Sequence, residues 1–149
     1  GGTEHFRVGP ERVDCRVQPL AGAVPGQDDA GGEMPERMPG GWVDVGEAPA
    51  AAVAREVWEE SGFKVKPTKV IAVMDANRGG RPLQLYHAYK IIFLCHITGG
   101  AATPSFETLD VDFFGFDNLP ELSPNRTNLH HLKEVQAHIL DDNRSTFFD

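Results

Sequence analysis

Residues Gly41 to Phe63 read GWVDVGEAPAAAVAREVWEESGF, and no other stretch limits so sharply what this chain can become. A Gly is followed after five residues by Glu47, and after seven more by the pair Arg55-Glu56. Val57, Trp58, Glu59, Glu60, Ser61, Gly62 and Phe63 complete the pattern. Pro49 suits the first turn of a helix, where its missing N–H is not needed. Ala50 to Ser61 are mostly good helix formers. Gly62 suits the left-handed residue that ends a helix. At about 100° per residue, Glu56, Glu59 and Glu60 fall on one narrow face with Arg55 at its edge. Ala50, Val53, Ala54, Val57 and Trp58 fall on the other side and are expected to face a core.

That acidic face is locally unfavourable. Glu56 and Glu60 are like charges at i, i+4, which costs a few tenths of a kcal/mol. Glu59 and Glu60 also sit near the negative end of the helix dipole, a further cost of roughly 0.3–1 kcal/mol each. A divalent cation would reverse these signs, and oxygen-only ligands favour Mg²⁺ or Mn²⁺ over Zn²⁺. The plainer reading is a solvated helix face with Arg55 paired to Glu59 at i, i+4. The flanking glycines, Glu47 and Arg55 at fixed offsets weigh against it.

The stretch resembles the signature of the Nudix hydrolases: Gly, five residues, Glu, seven residues, then Arg-Glu-apolar-any-Glu-Glu-any-Gly-apolar. Gly41, Glu47, Arg55, Glu56, Val57, Glu59, Glu60 and Gly62 fill its fixed positions. Phe63 brings an aromatic to the last one, and Met38-Pro39-Gly40 resembles the usual lead-in. The resemblance implies Mg²⁺-dependent hydrolysis of a nucleoside diphosphate linked to another group X. By similarity Glu56, Glu59 and Glu60 would hold the cation, helped by the backbone carbonyl of Gly40. Glu47 and Arg55 would pair and hold the loop onto the helix, a structural role alongside Gly41 and Gly62. A further carboxylate outside the signature often serves as base or extra ligand in this superfamily. Glu107 and Asp110, just before an apolar run, are the candidates here, and exposed loop acids are the competing reading.

The 149 residues suffice for one sizeable core, so a single domain over 1–149 is expected. A net charge of −8 argues against a nucleic-acid binder relying on broad phosphate neutralisation. A small anionic substrate stays compatible, because a bound cation reverses the local field. No apolar run approaches the roughly 20 residues that span a bilayer, and no secretory signal is visible from Gly1 onward. Cys15 and Cys95 are the only cysteines, and Cys95 lies in an apolar run. A reducing, cytoplasmic setting is the expectation.

Downstream of the signature the pattern alternates between strand and helix. Thr68–Met74 is β-branched and apolar, bounded by Pro67. Residues 77–82 read as a turn. Tyr86–Thr98 is rich in β-formers and closed by Gly99-Gly100, and Val111–Phe116 reads as another strand. Over Asn128–Leu140, Leu129, Leu132, Val135 and Ile139 recur at helical spacing. Strands interleaved with two helices predict an α/β fold with a mixed sheet packed between helices. That matches the α/β/α sandwich the resemblance implies.

The first forty residues are anomalous. Val13–Val17 alternates like a strand, but Gln18 to Gly41 is crowded with Gly and Pro and thin in apolar residues. It reads as loop or disorder where the resemblance would call for a β-branched hairpin. A long native loop and a damaged reading frame both fit, and either leaves the sheet short of strands. The regions 67–85 and 103–110 resemble a bacterial branch that carries an N-terminal helical region and some of whose members cleave ADP-ribose or CDP-choline. The chain opens at Gly1 without a Met and without that region, as a fragment would.

Other residues carry less. His130-His131 reads as a solvated helix start, and His87 and His96 as strand histidines. Trp58 reads as core. Tyr86, Tyr89 and Phe106 could stack on a base, and Lys64, Lys66, Lys69, Arg78 and Arg81 could steer phosphates, though a solvated rim explains the cations better. The sequence thus points to a Nudix pyrophosphohydrolase using Mg²⁺ or Mn²⁺ on a small nucleoside diphosphate derivative, with homodimerisation open. The rivals are a non-catalytic Nudix-like binding module, which would be expected to lose the carboxylates, and an RNA-processing enzyme.

Overall fold

The computed structural model describes residues 12–18, 38–75, 89–103, 113, 116–117, 119, 121 and 129–149. Among them the elements run β1 (Arg12–Gln18), β2 (Gly40–Trp42), α1 (Pro49–Ser61), β3 (Phe63–Asp75), β4 (Tyr89–Gly100), α2 (Leu129–Leu140) and β5 (Phe147–Phe148). The strands form one sheet in the order β2-β1-β4-β3-β5. The outer pairs β1–β2 and β3–β5 are parallel, and the two central pairs are antiparallel, so the sheet is mixed.

Strand alternation assigns the faces, because successive side chains point to opposite sides. In β4, Ile92 and Leu94 join Leu132 and Val135 of α2 in one core. Phe93 and Cys95 point the other way and join Ala52, Val53 and Val57 of α1 in a second core. The helices therefore cover opposite faces of the sheet, in the α/β/α arrangement that the residue pattern predicts.

Several elements differ from the sequence expectation, each for a local reason. β3 runs through Pro67 instead of starting after it. Among the described residues, the strand at Pro67 is paired only with β4, since β5 pairs at Ala72 and Val73. A missing N–H costs little on such an open edge. The ladder also shifts register between Pro67 and Lys69, and the Thr68 hydroxyl donates to the Leu94 carbonyl at 3.1 Å. Gly40 and Gly41, expected in a loop, lie in β2 and pair with Arg16 and Val17. β1 takes a central place in the sheet, so the described strands number five. Of the expected strand 111–116, Phe113 and Phe116 are described and neither is in a strand. Residues 19–37, 76–88 and 104–112 lie outside the described residues. β5 had no sequence forecast, being only two residues long.

α2 is rotated relative to its leucine pattern. Leu129 is exposed, whereas His131, Leu132, Glu134, Val135 and His138 are buried. His130 is exposed and meets the Phe147 ring edge-on at 5.4 Å. His131 is therefore no solvated helix start. Within this buried stripe Glu134 meets the C-terminal segment, which is also tied to β3. Arg144 donates to both oxygens of Glu134, at 3.1 and 3.3 Å from Nη2. Lys69 Nζ donates to the Asp142 carbonyl at 3.1 Å, and the Thr146 hydroxyl to the Val70 carbonyl at 2.8 Å. No helix among the described residues is long and apolar enough to cross a membrane.

Two outcomes follow. Gly62 has φ 78° and an ideal Cβ there would lie 2.5 Å from the Ala101 carbonyl oxygen. Gly62→Ala is expected to cost about 1–3 kcal/mol of unfolding free energy, read by urea titration. The His138 ring is fully buried, and neither nitrogen has a hydrogen-bond partner among the described residues. Burial, then Lys69 and Arg144, hold its pKa below the ordinary 6.5. The unfolded chain then binds the proton more readily, so stability is complete above 6.5 and falls as pH drops toward the folded value. Urea midpoints between pH 8 and 5 should show that fall, flattened in His138→Gln. An equal slope in the variant would remove His138 from the explanation.

Candidate active site

α1 begins at Pro49 and ends where Gly62, in the left-handed conformation, donates its N–H to the Trp58 carbonyl at 2.9 Å. Its buried stripe is Ala52, Val53, Val57, Glu60 and Ser61. The stripe is turned toward the acidic side relative to the sequence expectation. Ala50 and Trp58, expected in the core, are exposed. The reason is the opposing strand. β2 starts with two glycines and presents backbone where a side chain would stand. A Cβ on Gly41 would lie 2.5 Å from the carboxylate carbon of Glu56. The vacant volume admits carboxylates beneath the strand, and the Gly40 N–H donates to Glu60 Oε2 at 3.0 Å.

One guanidinium gathers the rest. Arg55 Nε donates to Glu47 Oε1 at 2.8 Å and Nη2 to Glu47 Oε2 at 2.9 Å, a bidentate pair. Nη2 also donates to the Trp42 carbonyl at 3.2 Å. Nη1 donates to Glu56 Oε1 at 3.0 Å and to Glu59 Oε2 at 3.1 Å. The Asp44 carboxylate stands 3.7 Å from Nη2, and the Asp44 N–H donates to Glu47 Oε2 at 3.1 Å. Glu47 is thus fixed from both sides, and it closes the loop 43–48 onto α1.

The electrostatics follow this wiring. Hydrogen bonding to Arg55 outweighs partial burial and holds the Glu47 carboxyl down at about 2. The same bond raises the Arg55 pKa, so the guanidinium is permanently charged. Glu56 is pushed above its ordinary value by burial first and by Glu60 second, with Arg55 opposing. Its side chain is 13% exposed, against 53% for Glu59. Two like-charged carboxylates held together and half out of water form an environment that a cation relieves.

Glu56, Glu59, Glu60, Gly40, Gly41, Glu47 and Arg55 are therefore brought together, with Gly62 closing the helix. Glu107 and Asp110 lie outside the described residues, as do Arg78, Arg81, Tyr86, His87 and Phe106. Lys69 is tied to the C-terminal segment, and Lys64 Nζ sits over the Trp58 ring at 5.5 Å. Tyr89 is half exposed at the start of β4, and His96 lies in β4 opposite Lys66. No group of three or more His, Cys, Asp or Glu side chains among the described residues is arranged to hold a metal ion as it stands. The donor chemistry nonetheless fits a hard divalent cation, being all oxygen. Glu56 and Glu59 are directed at Arg55 instead of at a common point. Sequence reasoning missed the Trp42 carbonyl and Asp44, because a backbone acceptor and a loop acid carry no spacing signal.

A family model described as the NUDIX domain matches residues 24–136. The chain belongs to the Nudix family. Bacillus subtilis YjhB, provisionally named an ADP-ribose pyrophosphatase, is 37% identical over 75% of this chain and 54% of its own length. The ADP-ribose pyrophosphatase of Methanocaldococcus jannaschii is 32% identical over 58% of this chain and 49% of its own. The NAD-capped RNA hydrolase NudC of Klebsiella pneumoniae is 35% identical over 63% and 34% respectively. The chain spans about half the length of the first two relatives. The crystal structure of a Streptococcus suis ADP-ribose pyrophosphatase superposes with TM-score 0.70 at 26% identity, covering 95% of this chain and all of that one. That of a UDP-X diphosphatase gives 0.70 at 28% identity, covering all of this chain and 68% of that one.

The Gly41 geometry yields a prediction specific to this Nudix site. A methyl at Gly41 displaces the Glu56 carboxylate, the movable end of a side chain, without forcing the backbone. Gly41→Ala should change unfolding free energy by less than about 1 kcal/mol, while any diphosphate hydrolysis the wild type shows should fall by about 100-fold through misplacement of Glu56. Unchanged hydrolysis in a folded variant would show that Glu56 has no part in the site.

Proposed function

We propose that this Nudix domain is a pyrophosphohydrolase that cleaves a nucleoside diphosphate linked to a second group X, with ADP-ribose the leading substrate and CDP-choline next. The observation that carries the reading is the set of three α1 carboxylates, with Glu60 on the Gly40 N–H, Glu56 against Gly41, and Glu56 and Glu59 both on the Arg55 guanidinium. The substrate class is supported by the names of relatives that share this domain.

In the proposed reaction water attacks one phosphorus, the bridging P–O bond breaks, and the products are a nucleoside monophosphate and phosphorylated X. Glu56, Glu59 and Glu60, with the Gly40 carbonyl, are assigned to hold Mg²⁺ or Mn²⁺. A bound divalent cation supplies charge neutralisation at the diphosphate oxygens and activation of a water. The chain's own contribution is positioning. The Gly40 N–H orients Glu60, the space above Gly41 seats Glu56, and the Glu47–Arg55 pair fixes the helix against the loop. Glu107 or Asp110 is assigned as the base outside the signature, with either single substitution as the test. A binding module without catalysis has no support in a site that keeps every carboxylate.

The test is a hydrolysis panel with Mg²⁺ and with Mn²⁺ over ADP-ribose, CDP-choline, NADH, a diadenosine polyphosphate, nucleoside triphosphates and NAD-capped RNA. ADP-ribose cleavage to AMP and ribose 5-phosphate is expected, reduced in Glu60→Gln by about 100-fold or more at unchanged fold. Equal activity of Glu60→Gln would sink the residue assignment. Preference for the capped RNA would move the substrate to the class named for NudC.

A further inference from the structure

Arg55 uses its whole donor capacity in one place. A guanidinium carries five N–H hydrogens, and the five bonds described above accept all of them. The bonds divide cleanly. Nε and Nη2 face the loop and β2, through Glu47 and the Trp42 carbonyl. Nη1 alone faces the helix carboxylates, through Glu56 and Glu59.

The charges do not balance. Among the described residues, four carboxylates, those of Asp44, Glu47, Glu56 and Glu59, are ion-paired to the single positive charge of Arg55. Arg55 is thus the cation on which Glu56 and Glu59 converge. Both carboxylates spend an oxygen on Nη1, and among the described residues no three acids are arranged around a common point.

We propose that Arg55 is the resident counter-ion of the site: Nη1 holds Glu56 and Glu59 until a divalent cation takes them, while Nε and Nη2 keep the guanidinium docked on Glu47 and the Trp42 carbonyl. This inference rests on the reading of Glu56, Glu59 and Glu60 as cation ligands. Cation entry then costs two hydrogen bonds and leaves three. The Glu47 fork is the tether that lets Arg55 release the ligands without leaving the site. Arg55 is a positioning residue in this account, and it competes with the ion it prepares the site for. The cation-free protein gains stability from Arg55, and that stability is set against cation affinity.

The experiment measures Mn²⁺ affinity and melting temperature, with and without saturating Mn²⁺, for the wild type, Arg55→Gln and the double variant Glu56→Gln/Glu60→Gln. Arg55→Gln should melt several degrees lower without Mn²⁺, bind Mn²⁺ about tenfold tighter, and gain more degrees from Mn²⁺ than the wild type does. A purely architectural Arg55 predicts weaker binding, so equal or weaker Mn²⁺ affinity in Arg55→Gln overturns the inference. The double variant separates the two claims. If it binds Mn²⁺ as well as the wild type, the ligand assignment falls and the inference with it. If it loses binding while Arg55→Gln also binds weakly, the inference falls alone. A second readout needs no variant that might misfold: side-chain ¹⁵N–¹H spectra of wild-type Arg55 during Mg²⁺ titration. The Nη1 resonances should shift while Nε holds. Movement of Nε with Nη1 unmoved contradicts the exchange.

Discussion

The bidentate contact between Arg55 and Glu47 is the interaction on which the site depends. It joins a loop to a helix across eight residues of sequence and fixes both ends with rigid geometry. From that anchor the guanidinium reaches the β2 backbone on one side and two helix carboxylates on the other. Lysine could not replace it, because a point charge offers no fork to Glu47 and no second arm to Glu56 and Glu59. The arrangement explains how a helix tolerates three acids in five positions near its negative end.

The second constraint is space. Two glycines in β2 remove the side chains that would otherwise cover α1. The buried stripe of the helix therefore passes through Glu60, and Glu56 fills the volume left at Gly41. The same substitution of backbone for side chain recurs where the helix ends. Gly62 turns left-handed and lies against Ala101 and Thr103, and the Thr103 N–H donates to the Ser61 carbonyl at 2.8 Å. α1 is thus held at its polar face by β2, at its apolar face by Val43, Phe93 and Cys95, and at its end by the segment after β4.

Much of this was legible in the residues. The spacing from Gly41 to Phe63 predicted the helix, its boundaries and the acidic cluster, because helical period and capping act locally. The run of β-formers over Tyr86–Thr98 predicted a strand, and strands interleaved with two helices predicted a sheet covered on both faces. What the spacing does not carry is the rotation of a helix about its axis, which the neighbouring layer decides. Trp58 reads as core by period and is exposed, since the stripe turned toward the glycines. His131 reads as solvated and is buried, since the buried face of α2 includes its polar residues His131, Glu134 and His138, with Arg144 of the C-terminal segment on Glu134. β5 is two residues held by parallel pairing to β3, too short for any pattern. Pro67 reads as a strand boundary and lies inside β3, because among the described residues β5 pairs with that edge only at Ala72 and Val73, an arrangement that local sequence does not carry.

The central claim is that the α1 carboxylates are the cation and diphosphate site of this Nudix domain. Its most direct test is a crystal structure with Mg²⁺ and a non-hydrolysable ADP-ribose analogue. Cation density is expected within about 2.0–2.1 Å of oxygens of Glu56 and Glu60, with the diphosphate against that density and Arg55 still forked onto Glu47. Cation and diphosphate density elsewhere, with Arg55 Nη1 unmoved on Glu56 and Glu59, would contradict it.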